Sequence, residues 1–385
     1  MSLVSIVVAA ICSLLGLAGA AYYVLSTWAA RRYLAEQRTA PESSYAPPVS
    51  ILKSLKGLDP HMYAAFASHC ELDYPEYEVL FGVYDLADPA LAVVKKLQDQ
   101  FPRQSLRIVH CPQVLGLNGK VSNLAQMLRQ ARFEHVLIND SDIVVPRDYL
   151  RRVMAPFADP AIGMSTALYR AMAGNTVASR LEALGLSTDF AGGVLLARAM
   201  EGGIRFGLGA TIATTKSMLA KIGGLEQLAD HLGDDYELGA RTAAAGAKVV
   251  LTGPVVETAL PDYSFRDFWL HQMRWARNVK DRRPSQYFGL IATFGFAWAM
   301  LAVVIGPFSW WTWAVLCVTA VARFASALFV GRKVLADPQV SRDVWLIPLR
   351  DLVSLAVWLG SYFGDTVVWR GLRFRLRNGK LEPVR

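Results

Sequence analysis

The sequence predicts an α/β domain built on a parallel sheet and framed by apolar segments that enter a membrane. Three observations carry this reading. From residue 49 to about 260, short β-branched runs alternate with stretches of helical periodicity, the pattern of βαβ units. The 385 residues are 53% hydrophobic and only 19% charged, against roughly 25% charged in ordinary soluble domains. Residues 3–27, LVSIVVAAICSLLGLAGAAYYVLST, carry no charge over a length that spans a bilayer.

Along the chain, no basic residue precedes the first apolar run, and Arg31, Arg32 and Arg38 follow it. A signal peptide would show the opposite order. The segment 1–30 therefore reads as an uncleaved anchor, with residue 31 onward in the cytoplasm. TAPESSYAPP (39–48) reads as a linker. VSILKSL (49–55), YEVLFGVYD (77–85), LRIVHC (106–111) and HVLIND (135–140) read as strands, with helices over 89–101 and 118–132. Parallel sheets bind ligands at the carboxyl ends of their strands, which is where Asp85 and Asp140 fall. SFRDFWLHQMRWARNVKDRR, within 261–285, reads as an amphipathic helix on the membrane surface. Further apolar runs cover 288–308, 309–330 and 344–369, with Arg350 and Asp351 as an interface or a buried ion pair. The tail, 371–385, is basic through Arg373, Arg375, Arg377 and Lys380, next to Arg370. Those charges favour the cytoplasm, whereas one anchor plus three spans would put the tail outside. One segment within 286–370 is therefore expected to be re-entrant or interfacial.

The net charge of +8 suits acidic headgroups or an anionic substrate. Without zinc-finger spacing or an aromatic RNA-binding signature, nucleic acid is not an expected partner. Cys12, Cys70, Cys111 and Cys317 show no paired spacing and read as buried free thiols.

The chemistry centres on LINDSDIVVP (137–146). It reads as a strand whose Asp140 and Asp142 point the same way. Two adjacent unpaired carboxylates are costly beside a core. A divalent cation such as Mg2+ or Mn2+ would compensate them. The alternative is a pair of turn carboxylates before Pro146. GLNGKVSNL (116–124) places Gly116, Asn118, Gly119, Lys120 and Asn123 at the mouth of a helix, a natural anion site. HLGDDYELGAR adds Asp234 and Asp235, as chemistry or as helix caps. HQMRW puts Arg274, suited to a diphosphate, and Trp275 on the amphipathic helix, where a snorkelling arginine is the alternative.

Asp85, then DSD, then GDDYELG, then HQMRW resembles the D, D, D, (Q/R)xxRW series of membrane-bound GT-A glycosyltransferases. DYPEYEVLFGVYDLADPA (73–90) and NGKVSNL are similar to the ceramide glucosyltransferase family, and most similar to its bacterial hopanoid-biosynthesis branch. The resemblance covers about 45–285. It implies a Rossmann-like GT-A domain over 45–260, on the cytoplasmic face of a bacterial inner membrane. It implies inverting transfer of one sugar from a UDP-sugar to a membrane lipid: a hopanoid polyol, a ceramide or a diacylglycerol. In that frame Asp85 and Ser50–Lys53 hold the nucleoside, with Asn118 and Asn123 on the donor side. Asp140 and Asp142 take Mn2+ or Mg2+, and Lys120 and Arg274 add positive charge. Asp235 is the general base with Asp234 its rival, and Trp275 stacks on sugar or acceptor. His271 stands where the family has Gln or Arg, and donates as Gln would. RFGLGATIATTKSMLAKIGGLE (205–226) would shape the acceptor side, with Gly207 and Gly209 allowing close approach. The rival readings are a processive polysaccharide synthase and a non-catalytic membrane scaffold or transporter.

Overall fold

The computed structural model describes residues 2–39, 43–369 and 371–384. Arg370 and part of the expected linker lie outside them. Helix α1 runs Leu3–Thr39, well past the uncharged run. At ~1.5 Å per residue it is about 55 Å long, against a hydrocarbon layer of ~30 Å. Its final turns dock on the α/β domain. The Tyr33 hydroxyl donates to the Thr252 carbonyl at 2.8 Å, and Glu36 pairs with Arg198 at 2.6 Å.

The domain begins as the sequence predicts: β1 (Val49–Leu55), α2 (Met62–Cys70), β2 (Tyr77–Val83), α3 (Ala90–Gln100), β3 (Leu106–His110), α4 (Gly119–Gln130) and β4 (His135–Asn139). These four strands pair in parallel, in the order β3-β2-β1-β4. Asp85 and Asp140 lie just beyond the carboxyl ends of β2 and β4.

The chain continues through β5 (Ile143–Val144), α5 (Tyr149–Met154), β6 (Ile162–Met172), α6 (Val177–Gly185) and α7 (Ala191–Glu201). Then follow β7 (Ile212–Thr215), α8 (Lys216–Lys221), α9 (Asp234–Ala244) and β8 (Lys248–Ala259). The full sheet has eight strands, β3-β2-β1-β4-β7-β6-β8-β5. It is mixed, not purely parallel: β7 runs antiparallel to β4 and β6, and β5 antiparallel to β8. Ile212, Ala213 and Thr214 are all buried, so this strand has no alternation from which its direction could be read. Nor is 137–146 one strand. β4 stops at Asn139, the chain turns through Asp140–Asp142, and Ile143–Val144 joins β8. Ending the strand there lets the two acids leave the core.

The rest is α10 (Phe265–Arg282), α11 (Pro284–Gly289), α12 (Gly295–Ile305), α13 (Trp310–Leu328), α14 (Pro338–Asp343) and α15 (Ile347–Ser361), then β9 (Thr366–Trp369), β10 (Leu372–Arg377) and β11 (Lys380–Pro383). Among the described residues, three helical segments are long and apolar enough to cross a membrane: Leu3–Thr39, Trp310–Val334 and Pro338–Ser361. Residues 284–305 qualify only as a pair of helices bent by 55°. Helix α12 meets α1 backbone to backbone, since a Cβ on Gly19 would lie 2.2 Å from Gly295 Cα. Such small-residue contacts hold helices together in lipid. Arg323 of α13 forms a forked pair with Asp351 at 2.8 and 2.9 Å, so Asp351 is a buried ion-pair member. Cys12, Cys70 and Cys111 are buried free thiols, but Cys317 is exposed on the outer side of α13.

Two surface segments also make protein contacts. Two basic residues of α10 bind protein: Arg277 donates to the carbonyls of Phe363 and Thr366, and Arg282 pairs with Glu237, while Phe265 and Trp269 of the same helix are exposed. The basic tail is an ordered three-stranded antiparallel sheet. Phe374 and Leu376 point inward between outward arginines, and pack with Leu232, Val367 and Leu381. The Leu381 amide donates to the Asp230 carbonyl at 2.7 Å, and the Leu232 amide to the Gly379 carbonyl at 3.2 Å. The arginine-rich composition concealed a period-two strand.

Candidate active site

The D-S-D turn sits on the carboxyl edge of the sheet, braced from both sides. Thr258 of β8 donates to the Asp142 carboxylate, and Ser141 to Asp59. Burial pushes the Asp142 carboxyl up to about 6, Asp140 adds to the rise, and the Thr258 bond opposes it. Lys53 lies beneath, in register with Asn139. Its Nζ donates to the Asp140 carbonyl at 3.1 Å. Burial drives its ammonium down to about 7, against the attraction of Asp142 and Asp140. The expectation that Lys53 faces the nucleoside is therefore corrected. β1 is flanked by β2 and β4, and the fully buried side chain reaches the underside of the turn and the face of the Phe66 ring.

The mouth of α4 supplies the opposing charge. Lys120 Nζ lies 2.6 Å from Asp140 Oδ1 and 3.7 Å from Asp234 Oδ2. Burial would lower this ammonium, but Asp140 and Asp234 outweigh it and hold it above its ordinary value. Asn118 is wholly buried. It caps α4 by accepting from the Val121 amide, and donates to the His231 carbonyl at 2.8 Å and to Asp234 Oδ1 at 3.3 Å. Asn123 donates to Ser54 Oγ at 3.1 Å, tying α4 to β1. Asn118, expected on the donor side, spends both polar atoms inside the fold, while Asn123 spends its NH2 on Ser54 and the Gly82 carbonyl.

Asp234 and Asp235 open α9, but neither caps it, since Gly233 holds that position without a side-chain bond. Asp234 Oδ2 accepts no hydrogen bond among the described residues. Burial and the Asp234 charge push Asp235 up to about 6, with Lys120 opposing. The 206–210 loop passes close by. A Cβ on Gly207 would lie 2.8 Å from the Asp235 carbonyl oxygen. One on Gly209 would lie 3.0 Å from Asp235 Oδ2 and 3.7 Å from Asp140 Oδ2. Asp140 and Asp235 therefore flank a single glycine.

Five residues beyond β8, α10 begins at a Ser264 cap, whose hydroxyl accepts from the Asp267 amide at 3.1 Å. His271, Arg274 and Trp275 share one face of it. Arg274 Nη2 is 3.1 Å from His271 Nδ1 and Trp275 Nε1 is 3.0 Å from His271 Nε2. The Arg274 guanidinium lies over the Trp275 ring, 5.2 Å from its centroid. Tyr263 links this helix to the acids: its ring lies 5.6 Å from that of His271. Burial raises its hydroxyl to about 12, Glu182 and Asp142 adding and Arg274 opposing. Asp85 stands apart. It is exposed at the end of β2, accepts from the Ala87 amide at 2.8 Å, and is separated from β4 by β1.

Thr258, Tyr263 and Glu182 were not singled out in the sequence. Only Glu182 left a signal, a lone acid inside the apolar SRLEALGL. As to a divalent cation, no group of three or more His, Cys, Asp or Glu converges as a preformed site among the described residues. The donor chemistry nevertheless fits a hard ion. Asp140 and Asp142 share one turn, the Asp140 side chain is 41% exposed, and burial outweighs the Thr258 bond that opposes the rise at Asp142. Magnesium-like ions commonly take one or two carboxylates and complete their shell with water and substrate phosphate.

Comparison with known proteins decides the family. A model described as glycosyl transferase family 21 matches residues 11–382. The chain belongs to glycosyl transferase family 21. It is 23% identical over 347 residues to ceramide glucosyltransferase 1 of Caenorhabditis elegans, covering 86% of this chain and 72% of that one. It is 27% identical over 256 residues to the beta-monoglucosyldiacylglycerol synthase of Synechocystis sp., covering 66% and 52%. Among solved structures, a mannosyltransferase of Pyrobaculum calidifontis in complex with GDP-Man and Mn2+ superposes with a TM-score of 0.56 at 19% identity, over 92% of this chain and 98% of that one. The GT-A-like fold expected from the sequence is the fold found, and the protein is a glycosyltransferase. In this glycosyltransferase Asp140, Asp234 and Asp235 gather around Lys120 and Gly209 at one edge of the sheet.

Proposed function

We propose that this chain transfers one hexosyl or N-acetylhexosaminyl group from a UDP-sugar to the hydroxyl of a membrane lipid, with inversion. The observation that carries the reading is the convergence of Asp140, Asp142, Asp234, Asp235 and Lys120 at one sheet edge, in a chain with apolar spanning helices. Asp235, raised toward neutrality, takes the proton of the acceptor hydroxyl as its oxygen attacks the anomeric carbon. The bond from that carbon to UDP breaks, and the electron pair leaves on the diphosphate. Lys120 and Arg274 offset the charge that develops there. Asp140 and Asp142 would hold Mn2+ or Mg2+, which supplies Lewis-acid stabilisation of the same oxygens. The Pyrobaculum neighbour's bound Mn2+ and nucleotide sugar support this choice. Asp85 faces the nucleoside from β2, and Trp275, 40% exposed, offers a stacking face to the sugar or acceptor.

Ceramide and diacylglycerol appear in the names of the relatives, and both are lipids with a free primary hydroxyl at the interface. Our reading of the acceptor is a hopanoid polyol, which rests on the sequence resemblance. The topology supports a membrane-bound enzyme with its catalytic domain in the cytoplasm of a bacterial inner membrane. Because the tail is bonded to that domain, the chain crosses an even number of times between them. Trp310–Val334 and Pro338–Ser361 supply two crossings, so the bent pair α11–α12 enters and leaves by one face.

The test is incubation of purified protein with each UDP-sugar and with hopanoid polyol, ceramide or diacylglycerol, with and without Mn2+ or Mg2+. Mass spectrometry should find a lipid carrying one sugar. A polymer would instead establish the synthase reading, and no lipid product with any pair would end the proposal.

A further inference from the structure

The helix bearing the HQMRW motif rests on an acid that belongs to none of the motifs. Glu182 of α6 is 4% exposed. Its two carboxylate oxygens meet consecutive residues of α10. Oε1 lies 3.4 Å from His271 Nε2, and Oε2 accepts from the Gln272 amide. The other His271 nitrogen, Nδ1, lies 3.1 Å from Arg274 Nη2.

A neutral imidazole has one N–H and one lone pair, while arginine can only donate. The Arg274 contact therefore needs the lone pair on Nδ1, and the proton must sit on Nε2, the nitrogen nearest Glu182. Trp275 Nε1, 3.0 Å from the same Nε2, favours the opposite tautomer, because it too can only donate. Nε2 cannot serve both. The first tautomer makes a charge-assisted bond with Arg274 and turns Nε2–H toward the Glu182 carboxylate at 3.4 Å; the second makes one neutral bond. Charge-assisted bonds are roughly twice as strong, so the carboxylate decides the competition. Trp275 is 40% exposed and loses little by turning to water.

Glu182 is itself held by a chain of alternating charge that runs into the apolar helices. Gln272 Oε1 accepts from Arg350 Nη1 at 3.0 Å. Arg350 Nε lies 3.7 Å from Asp189 Oδ2, and Asp189 binds Arg323, the partner of Asp351. Gly185 makes room, since a Cβ there would sit 2.4 Å from Arg350 Nε.

We propose that Glu182 is a positioning residue for the transfer reaction: it fixes the Nε2–H tautomer of His271 and leaves Nδ1 to hold the Arg274 guanidinium. The role rests on the diphosphate function given to Arg274 above.

Two readouts test it. The first is a double-mutant cycle of Glu182→Gln and His271→Gln, read as kcat and donor KM. Glu182→Gln should lower kcat about 10- to 100-fold with histidine present, and less than about threefold in the His271→Gln background, where no tautomer is left to select. A merely structural acid would cost the same in both, and that result overturns the proposal. The second is the 15N spectrum of the imidazoles, with the His271 signal assigned by its loss in His271→Gln. It should show a protonated Nε2 and a bare Nδ1 in the unmodified protein, and a protonated Nδ1 there overturns the proposal. This readout needs no turnover and no folded variant of Glu182, so it stands even if the lipid reaction is misassigned.

Discussion

Deleting one charge from the D-S-D turn should stabilise the metal-free protein and abolish its response to metal. Asp142 is raised from 3.8 to about 6. Each unit is about 1.4 kcal/mol of preference for the neutral form. The ionised carboxylate thus costs on the order of 3 kcal/mol near pH 7, and partial solvation trims that to about 1–2 kcal/mol. Asp142→Asn keeps an acceptor for Thr258 and removes the charge. With chelator near pH 7 the variant should melt a few degrees above the parent, at roughly 2–4 °C per kcal/mol for a domain of this size. The sign fixes the pH window. A carboxyl whose folded value lies above its unfolded value destabilises once ionised, so the variant's advantage is full above about pH 6 and gone below about pH 4. Mn2+ should reverse the order, because only the parent gains stability by binding it. Tryptophan fluorescence melts in detergent, from pH 4 to 8, with chelator or with Mn2+ and UDP, read both effects. A variant that melts below its parent in chelator, with Mn2+ shifting the two alike, would refute the reasoning.

Asp235→Asn should lower kcat by about 10³-fold while UDP binding, read by equilibrium dialysis, changes less than threefold; near-normal turnover would return the base role to Asp234. With Asp235 near 6, kcat/KM of the parent should fall about tenfold per unit below that pH, and a profile flat to pH 5 counts against this base. Lys120→Met strips the cation from Asp140 and Asp234, and should weaken UDP binding about 10- to 100-fold in calorimetry, with little change if Lys120 is only structural. Gly19→Leu forces a side chain into the Gly295 backbone. It should cost several kcal/mol, in line with overpacking of a tight contact, and show as loss of the folded species in size-exclusion chromatography.

The parts of this fold legible in the sequence are those that depend on near neighbours. β1 to β4 and helices α3 and α4 follow from periods of 2.0 and 3.6, and Asp85 and Asp140 from the rule about strand ends. The site's acids and Lys120 were legible as types. The partners that set their charge were not. Thr258 meets Asp142 across 116 residues, and the reversed direction of β7 leaves no trace in a four-residue buried strand. Lys53 looked like a ligand-facing cation because its burial comes from two flanking strands, which no local pattern encodes. The strands of the tail went unread for the opposite reason: its arginines dominate the composition, and the alternation of Phe374 and Leu376 beneath them is short. Glu182 matters through the tautomer of another residue, a property that no spacing carries.

The bonds from Leu381 to Asp230 and from Leu232 to Gly379 set an order of events during synthesis. The turn that presents Asp234 and Asp235 is closed by strands the ribosome makes after Pro338–Ser361. A chain that has not yet made β11 therefore lacks the bonds that close this turn. The acid pair is thus completed by the last residues of the chain.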